Sequence, residues 1–326
     1  MMTSPVVLVT GATGFLGGHL ARTLATKGFT IRALGRKPSV LAELSRRGIE
    51  TQEIDLRDRD AIAAACAGID VVVHAGALSA PWGRRSHFFD INVSGTEHVI
   101  AGCLRHGVSR LVHVSSPSVI FNGNDVVDAT EDAPFPRRFL SLYSLTKKLA
   151  EDAVRGATAL ETVIIRPKAI FGPGDTALLP RLLAAGRAGR LPQIGDGINL
   201  VDLTYVDNVV HALTLAVIQP DAANRTFTIT NGQPVLLWDV IRRMLAAAGC
   251  SIGRRIPYSI AYAAAALMEA HARLTGTEPL LTRYSVTILA RTQTYCIDAA
   301  RRWLGYEPIV TMEDGLDRTV SALAYP

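Results

Sequence analysis

Thr10-Gly11-Ala12-Thr13-Gly14-Phe15-Leu16-Gly17 follows directly on the apolar run Val6-Val7-Leu8-Val9 and opens an amphipathic stretch that reaches Lys27. A strand that ends in closely spaced glycines and passes straight into a helix begins a βαβ unit able to hold a dinucleotide. Gly11 permits the tight turn, Gly14 lets the main chain approach a pyrophosphate, and Gly17 permits close helix–strand packing. The helix then offers unbonded N–H groups and a partial positive charge to the phosphates. Thr13, Phe15 and Leu16 belong to the same cofactor turn.

The alternation that begins there continues. Thr30-Ile31-Arg32-Ala33-Leu34 is followed by a predicted helix near 39–47, a strand near 49–54 and a helix near 58–66. Val71-Val72-Val73, one long helix over about 86–106, and Arg110-Leu111-Val112-His113-Val114 extend the series. Apolar strands without polar alternation are buried on both faces, which predicts an α/β fold with a doubly wound parallel sheet of the Rossmann kind. The segment 172–203 is rich in Gly, Pro and Arg, and 250–326 reads as helices with short strands. The expected organisation is a Rossmann core over 1–171 completed by 204–231. A smaller, mostly helical substrate lobe, 172–203 and 232–326, then covers the carboxyl edge of the sheet, where ligands of open α/β folds bind. Ile256 to Met268 is too short an apolar run to span a bilayer and reads as a buried helix, with an interfacial one, in peripheral membrane contact, as the alternative.

The end of the second strand discriminates between cofactors, because a carboxylate there would hold a ribose 2′-hydroxyl and an arginine would accommodate a 2′-phosphate. Gly35-Arg36-Lys37 stands there, so NADP(H) is preferred, with NAD(H) left open. Asp55-Leu56 after the third strand is placed to meet adenine, and Ala75-Gly76-Ala77, after His74, to line the dinucleotide. Asn92, on the following helix, is more simply a buried amide satisfied by main chain.

Tyr143-Ser144-Leu145-Thr146-Lys147 places a phenol and an ammonium one helical turn apart on the same face. A tyrosine is a poor base near neutrality. An adjacent ammonium, together with a positive nicotinamide ring, lowers its pKa, and the phenol then exchanges a proton with a carbonyl or alcohol oxygen. The lysine also donates to the nicotinamide ribose. The fifth strand ends Val114-Ser115-Ser116-Pro117-Ser118, at the edge where a hydroxyl stabilises a substrate oxygen. Of these serines Ser116 is selected.

The runs TGATGFLGGHL, VSSPSVIF, YSLTK, RPKAIFGPGD and TYVDNVVHA resemble the extended short-chain dehydrogenase/reductase superfamily over nearly the whole chain. Pro81-Trp82-Gly83, Ser116-Pro117-Ser118-Val119 and the tail TGTEPLLTR…LGYEP resemble its 3β-hydroxysteroid dehydrogenase-like group, which includes 4-carboxysterol 3-dehydrogenases and the β-keto acid reductases of bacterial olefin biosynthesis. The resemblance implies a catalytic set of Ser116, Tyr143 and Lys147, and places Arg166-Pro167 beside the nicotinamide, with Pro167 a cofactor contact. It departs from the pattern at Ser141, where a proline is common, which puts the helix start in question. It departs again at Lys168, which either meets an anionic group of the substrate or points outward.

The implied function is NAD(P)-dependent interconversion of a secondary alcohol and a ketone on a bulky apolar substrate, of 3β-hydroxysteroid or 3-keto/3-hydroxy acid type. A nucleotide-sugar epimerase and a non-catalytic dinucleotide-sensing scaffold are the alternatives. A sugar-nucleotide dehydratase fits less well, since Pro117-Ser118 stand where it needs an acidic pair. The net charge of +5 comes with arginines in scattered pairs (Arg46-Arg47, Arg84-Arg85, Arg254-Arg255), not the stripe a nucleic-acid binder presents. Cys66, Cys103, Cys250 and Cys296 lack metal-like spacing, so free thiols in a reducing cytoplasm are expected. Met1 to Pro5 show no leader pattern. The eight histidines have no carboxylates at ligand spacing, so they are read as structural or surface groups, and no metal is expected. A homodimer through the helices flanking the sheet is common in the superfamily.

Overall fold

Strict alternation of side chains along the first-half strands sends neighbouring residues into two different cores, one on each face of a single sheet. Val7, Val9, Val71, Val73, Val112, Val163 and Ile165 join one core, while Leu8, Val72, Leu111 and Ile164 join the other. This is why these runs are continuously apolar. Each such side chain fully withdrawn from water contributes about 1.5–3 kcal/mol.

The computed structural model describes residues 5–189 and 191–324. Its main sheet has seven parallel strands: β1 (Val6–Thr10), β2 (Thr30–Gly35), β3 (Glu50–Glu53), β4 (Val71–His74), β5 (Arg110–Val114), β6 (Glu161–Pro167) and β7 (Arg225–Ile229). They lie in the order β7-β6-β5-β4-β1-β2-β3. From β1 the chain first builds outward through β2 and β3, then crosses back to β4 on the other side. Ligands of such sheets lie at the carboxyl ends of the strands where this reversal occurs, here between β1 and β4.

A second, smaller sheet lies outside this one. Val235–Leu236, Leu200–Val201, Gln293–Tyr295 and Val126–Ala129 form a small sheet in that order. Val126–Ala129 follows closely on the Ser116 turn, so the loop leaving β5 is tied directly to the C-terminal part of the chain. Leu183, Ile194, Trp238, Ile241, Leu245 and Val286 make a third core, and Trp238 Nε1 donates to Leu289 O at 3.0 Å.

Two sequence expectations are corrected. The single helix over 86–106 is three pieces: Arg85–Phe88, a π-helical stretch Phe89–Ser94, and Gly95–His106. Wide turns of this kind occur where a side chain is re-aimed, and this one carries Asn92. The helix expected to be buried at 256–268 is Tyr258–Thr275, and it turns its small residues inward. Ala261, Ala265 and Ala272 are buried, whereas Ile260, Leu267 and Leu274 stand in solvent. No helix among the described residues is long and apolar enough to cross a membrane.

Candidate active site

The turn after β1 is shaped by contacts that exclude side chains. Gly11 adopts φ +69°, and a Cβ there would lie 2.6 Å from Gly76 Cα. A Cβ on Gly17 would lie 2.3 Å from Gly11 O, so the helix Phe15–Thr26 packs directly on the turn. Gly14 needs no unusual dihedral, at φ −92°; it is the N-cap residue, and its N–H donates to Gly11 O at 2.9 Å. No side chain caps this helix and its first turn has no carboxylate. Its N-terminal N–H groups and partial positive charge therefore have no anionic competitor on their own helix, and the turn fits a dinucleotide pyrophosphate. Phe15 meets His19 edge-on at 5.3 Å, and Leu16 packs on the core.

Thr13 turns to the end of β2, where its Oγ1 accepts the Arg36 N–H at 3.2 Å. The Arg36 side chain is exposed, with a 3.5 Å contact to Asp55 Oδ2. Asp55 is chiefly engaged by Arg57, at 2.8 and 2.9 Å, and hydrogen bonds from that residue hold its carboxyl well below the usual range. Leu56 lies across Gly76, where a Cβ would be 2.9 Å from its Cδ1. Ala75 is half-buried and Ala77 exposed at the mouth of β4.

Beneath them runs a chain of buried hydrogen bonds. Thr96 Oγ1 donates to Asn92 O at 2.7 Å, so it accepts from His74 Nε2 at 3.0 Å. His74 Nδ1 then accepts from Thr10 Oγ1 at 2.7 Å, and that oxygen accepts the Gly76 N–H at 3.2 Å. Burial, reinforced by Lys147, pushes His74 down to about 3, so the ring is a neutral structural link. Asn92 clamps Leu78 through both its N–H and its carbonyl (2.7 and 3.1 Å) and donates to Thr146 at 3.0 Å. It thereby joins the β4 loop to the helix that bears Tyr143.

That helix, Leu142–Gly156, starts cleanly at the non-proline position. Ser141 Oγ accepts the Ser144 N–H at 3.1 Å while Ser144 Oγ accepts from Ser141 N at 3.3 Å, a reciprocal cap. The Tyr143 phenol faces the hydroxyls of Ser116 and Ser79. Ser116 Oγ accepts from Ser118 N at 3.2 Å, which leaves its own proton available to donate. Lys147 Nζ donates to Val114 O at 2.6 Å and to His113 Nε2 at 3.2 Å. Burial lowers this lysine to about 8. The ammonium and a positive nicotinamide ring together are expected to lower the phenol. Among the protein groups burial dominates instead and raises Tyr143, with Ser79 and Ser116 pulling the other way.

Pro167 is buried at the end of β6, but Arg166 beside it is committed elsewhere. Its guanidinium binds Glu151 bidentately at 2.8 and 2.7 Å, both side chains being 0% exposed. Lys168 does not point outward. Its Nζ donates to Gln293 Oε1 at 2.7 Å and lies 5.6 Å from the centre of the Tyr295 ring.

Sequence reasoning did not single out Ser79, Tyr284 or Tyr295, and read His113 as a structural or surface group. Tyr284, on the helix Arg283–Ala290, faces the Ser118 hydroxyl. Nothing local in Arg283-Tyr284-Ser285 marks it. His113 carried a usable signal, because an imidazole in the middle of a strand buried on both faces demands a polar partner.

The sequence model of the 3-beta hydroxysteroid dehydrogenase/isomerase family matches residues 8–260. The 2-alkyl-3-oxoalkanoate reductase of Stenotrophomonas maltophilia is 38% identical over 330 residues, covering 98% of this chain and 99% of that protein. The human sterol-4-alpha-carboxylate 3-dehydrogenase, decarboxylating, is 33% identical over 336 residues, covering 97% and 88% respectively. Among solved structures, MoeE5 in complex with UDP-glucuronic acid and NAD superposes with a TM-score of 0.75 at 26% identity, covering 97% of this chain and 98% of that one. The glycine turn, the parallel sheet and these relationships agree: the chain belongs to the 3-beta hydroxysteroid dehydrogenase/isomerase family and is an NAD(P)-dependent oxidoreductase of the extended short-chain dehydrogenase/reductase fold.

Proposed function

We propose that the chain interconverts a ketone and a secondary alcohol on a bulky, largely apolar substrate of 3-oxo acid or 3β-hydroxysteroid type, with Tyr143, Ser116 and Lys147 as its catalytic residues. The observation that carries this reading is the Tyr143 phenol set against the Ser116 hydroxyl, one helical turn from the buried Lys147. The nicotinamide, when bound, supplies or takes up the hydride.

The protein's own residues handle the oxygen and its proton. Ser116, which accepts from the Ser118 N–H, keeps its own proton to donate to the substrate oxygen. The phenol, raised by burial, is protonated near neutrality, which is the state needed to give a proton to the oxygen of a ketone being reduced. Two of the three Lys147 N–H groups are held by Val114 O and His113, and the third is available to the cofactor ribose. Apolar surface for the substrate comes from the second lobe and from Trp82, whose ring meets Arg273 at 5.8 Å.

NADP(H) is the proposed preference. Supporting it are an exposed Arg36 directly after β2, weakly engaged by Asp55, and the lack of a carboxylate at the end of that strand. Dissociation constants for the two cofactors test this, and tighter NAD(H) binding reverses it.

Reduction of β-keto acids, 3-oxosteroids and simple ketones, followed as loss of reduced-nicotinamide absorbance with each cofactor, tests the whole reading. Net oxidation of free cofactor by a β-keto acid or 3-oxosteroid is the expected result. An epimerase would show none, and turnover of a nucleotide sugar without net cofactor change would replace this reading.

A further inference from the structure

The geometry points to a carboxylate-binding subsite beside the phenol, formed by Lys168 with the hydroxyls of Tyr284 and Tyr295, which selects β-keto and β-hydroxy acids over neutral ketones and alcohols. It deepens, and rests on, the proposed reaction at Tyr143.

Polar tips run in a row along the second-lobe wall. Tyr284 faces the Ser118 hydroxyl; Tyr295 packs with Val119 and Ile120 of the same turn; the Lys168 ammonium lies 5.6 Å from the Tyr295 ring centre. Two features mark the row as unfinished. The Tyr295 hydroxyl is buried, at 5% residue exposure, yet has no hydrogen-bond partner among the described residues. A buried, unpaired hydroxyl costs about 1–3 kcal/mol, so its retention calls for an occupant that pairs with it. Lys168 in turn has one side-chain acceptor among the described residues, Gln293 Oε1, which leaves two of its three N–H donors uncommitted. Asp202, 1% exposed, acts on Lys168 at long range and forms no ion pair with it within 4.0 Å. Its Oδ2 is taken by the Tyr295 N–H at 2.7 Å. Lys168 itself is only half-buried.

A β-keto acid carries its carboxylate two carbon–carbon bonds from the reacting carbonyl. An anionic group that close to the oxygen at Tyr143 and Ser116 lies near the turn that follows Ser116, and the polar groups gathered on that turn are Tyr284, Tyr295 and, beside Tyr295, Lys168. A carboxylate would accept from the ammonium and the phenols together, satisfying the orphaned hydroxyl. The names of the relatives fit this spacing: a 3-oxoalkanoate bears its oxygen at C3 and its carboxylate at C1, and a sterol 4-carboxylate oxidised at C3 has the same relation.

The test compares oxidation of a 2-alkyl-3-hydroxyalkanoate and of its methyl ester by the protein with NADP+. The wild type is expected to prefer the acid. In K168M the acid-to-ester ratio of kcat/KM is expected to fall by roughly tenfold to a hundredfold, the size of a charge-assisted hydrogen bond. K168R should restore part of it, and Y295F should lower it by less than K168M. An unchanged ratio in K168M overturns the subsite. K168Q serves if the methionine variant does not fold. A second arm does not depend on turnover: a 2-alkylalkanoate lacking oxygen at C3 is titrated calorimetrically into NADP+-saturated protein. Binding weaker by about tenfold in K168M supports the subsite. Equal binding, or none in the wild type, overturns it. If the wild type binds the acid but oxidises neither alcohol, the redox reading fails and the subsite stands.

Discussion

Two lysines stand at the rim of the crevice, and different kinds of partner hold them. Lys147 is fixed within the first lobe by the main-chain carbonyl of Val114 and by His113, both one strand away. Lys168 is fixed by the side chain of Gln293, which arrives from the far end of the chain. The difference extends to their surroundings. On the Lys147 side, Thr10, His74, Thr96 and Asn92 form a closed hydrogen-bond chain. Buried atoms without partners occur on both sides, His113 Nδ1 and Ser115 Oγ near Lys147 and Tyr295 Oη and Asp202 Oδ1 near Lys168, but Lys147 itself is 2% exposed whereas Lys168 is only half-buried. One half is built to be the same whatever the substrate. The other is built to be completed by it.

The largest expected effect tests the first half. Tyr143→Phe should lower turnover about 10²–10⁴-fold, the usual worth of a positioned proton donor, with cofactor affinity nearly intact. Steady-state rates and a fluorescence titration of NADPH check both parts. Retention of most activity breaks the comparison at its centre.

Next comes the buried pair behind the site. Burial opposes ionisation of Glu151, but hydrogen bonds and charge from Arg166 outweigh it and hold the carboxyl below its usual value. Arg166→Met leaves that buried carboxylate with only the half-exposed Arg155, at 3.0 Å, and should cost about 3 kcal/mol in denaturant unfolding. A loss under about 1 kcal/mol would mean the pair contributes as little as a surface bridge.

The two halves also differ in how far the sequence revealed them. The first is carried by local signals: glycines whose missing side chains leave room for neighbouring main chain, a tyrosine and lysine one turn apart, and serines at a strand end. Each is legible because a few adjacent residues determine it. Tyr284 and Tyr295 are invisible by that route, since Tyr295 meets Val119 and Ile120 only once the small second sheet pairs Gln293–Tyr295 with Val126–Ala129, and Tyr284 reaches Ser118 from a helix much further along the chain. One error and one opposing effect have the same origin. Hydrophobic content alone suggested that 256–268 is buried, yet the helix Tyr258–Thr275 packs through its alanines, which periodicity weights less than its leucines. Burial of the phenol, likewise a property of the assembled fold, raises it against the lowering that the ammonium and a positive nicotinamide exert together.

A pair of glycines tests the local half more finely. Gly11→Ala places a Cβ 2.6 Å from Gly76 Cα at φ +69°, whereas Gly28→Ala, at φ +84°, meets nothing within 4 Å. Both carry left-handed strain of about 1–2 kcal/mol. Only Gly11→Ala should also weaken cofactor binding, by about tenfold or more, because it displaces the turn. Equal cofactor affinities in the two variants would detach the turn from the cofactor.

In one respect the halves should not differ. Burial lowers both Lys147 and Lys168 to about 8, below the roughly 10.4 of an unfolded chain. Between those values the unfolded state binds more protons, so each lysine makes stability rise with pH across that window. Lys168→Met should flatten the rise in denaturation midpoint between about pH 8 and pH 10 relative to wild type, by removing one of the two contributions. An unchanged slope would mean that Lys168 is as well solvated in the folded chain as in the unfolded one.

The smallest effect concerns the start of the Tyr143 helix. Ser141→Ala removes the reciprocal hydrogen bonds with Ser144 and should destabilise the protein by about 1 kcal/mol. Turnover should hardly change, because Tyr143 is also held through the next turn, where Thr146 Oγ1 donates to Leu142 O and meets Asn92. The informative variant is therefore the double one. If Ser141→Ala alone leaves kcat intact but combined with Asn92→Ala lowers it by more than the two single changes predict, the cap and the clamp act on the same side chain. Strict additivity would show that the helix start merely stabilises the fold, and that the phenol is aimed entirely by contacts further along the helix.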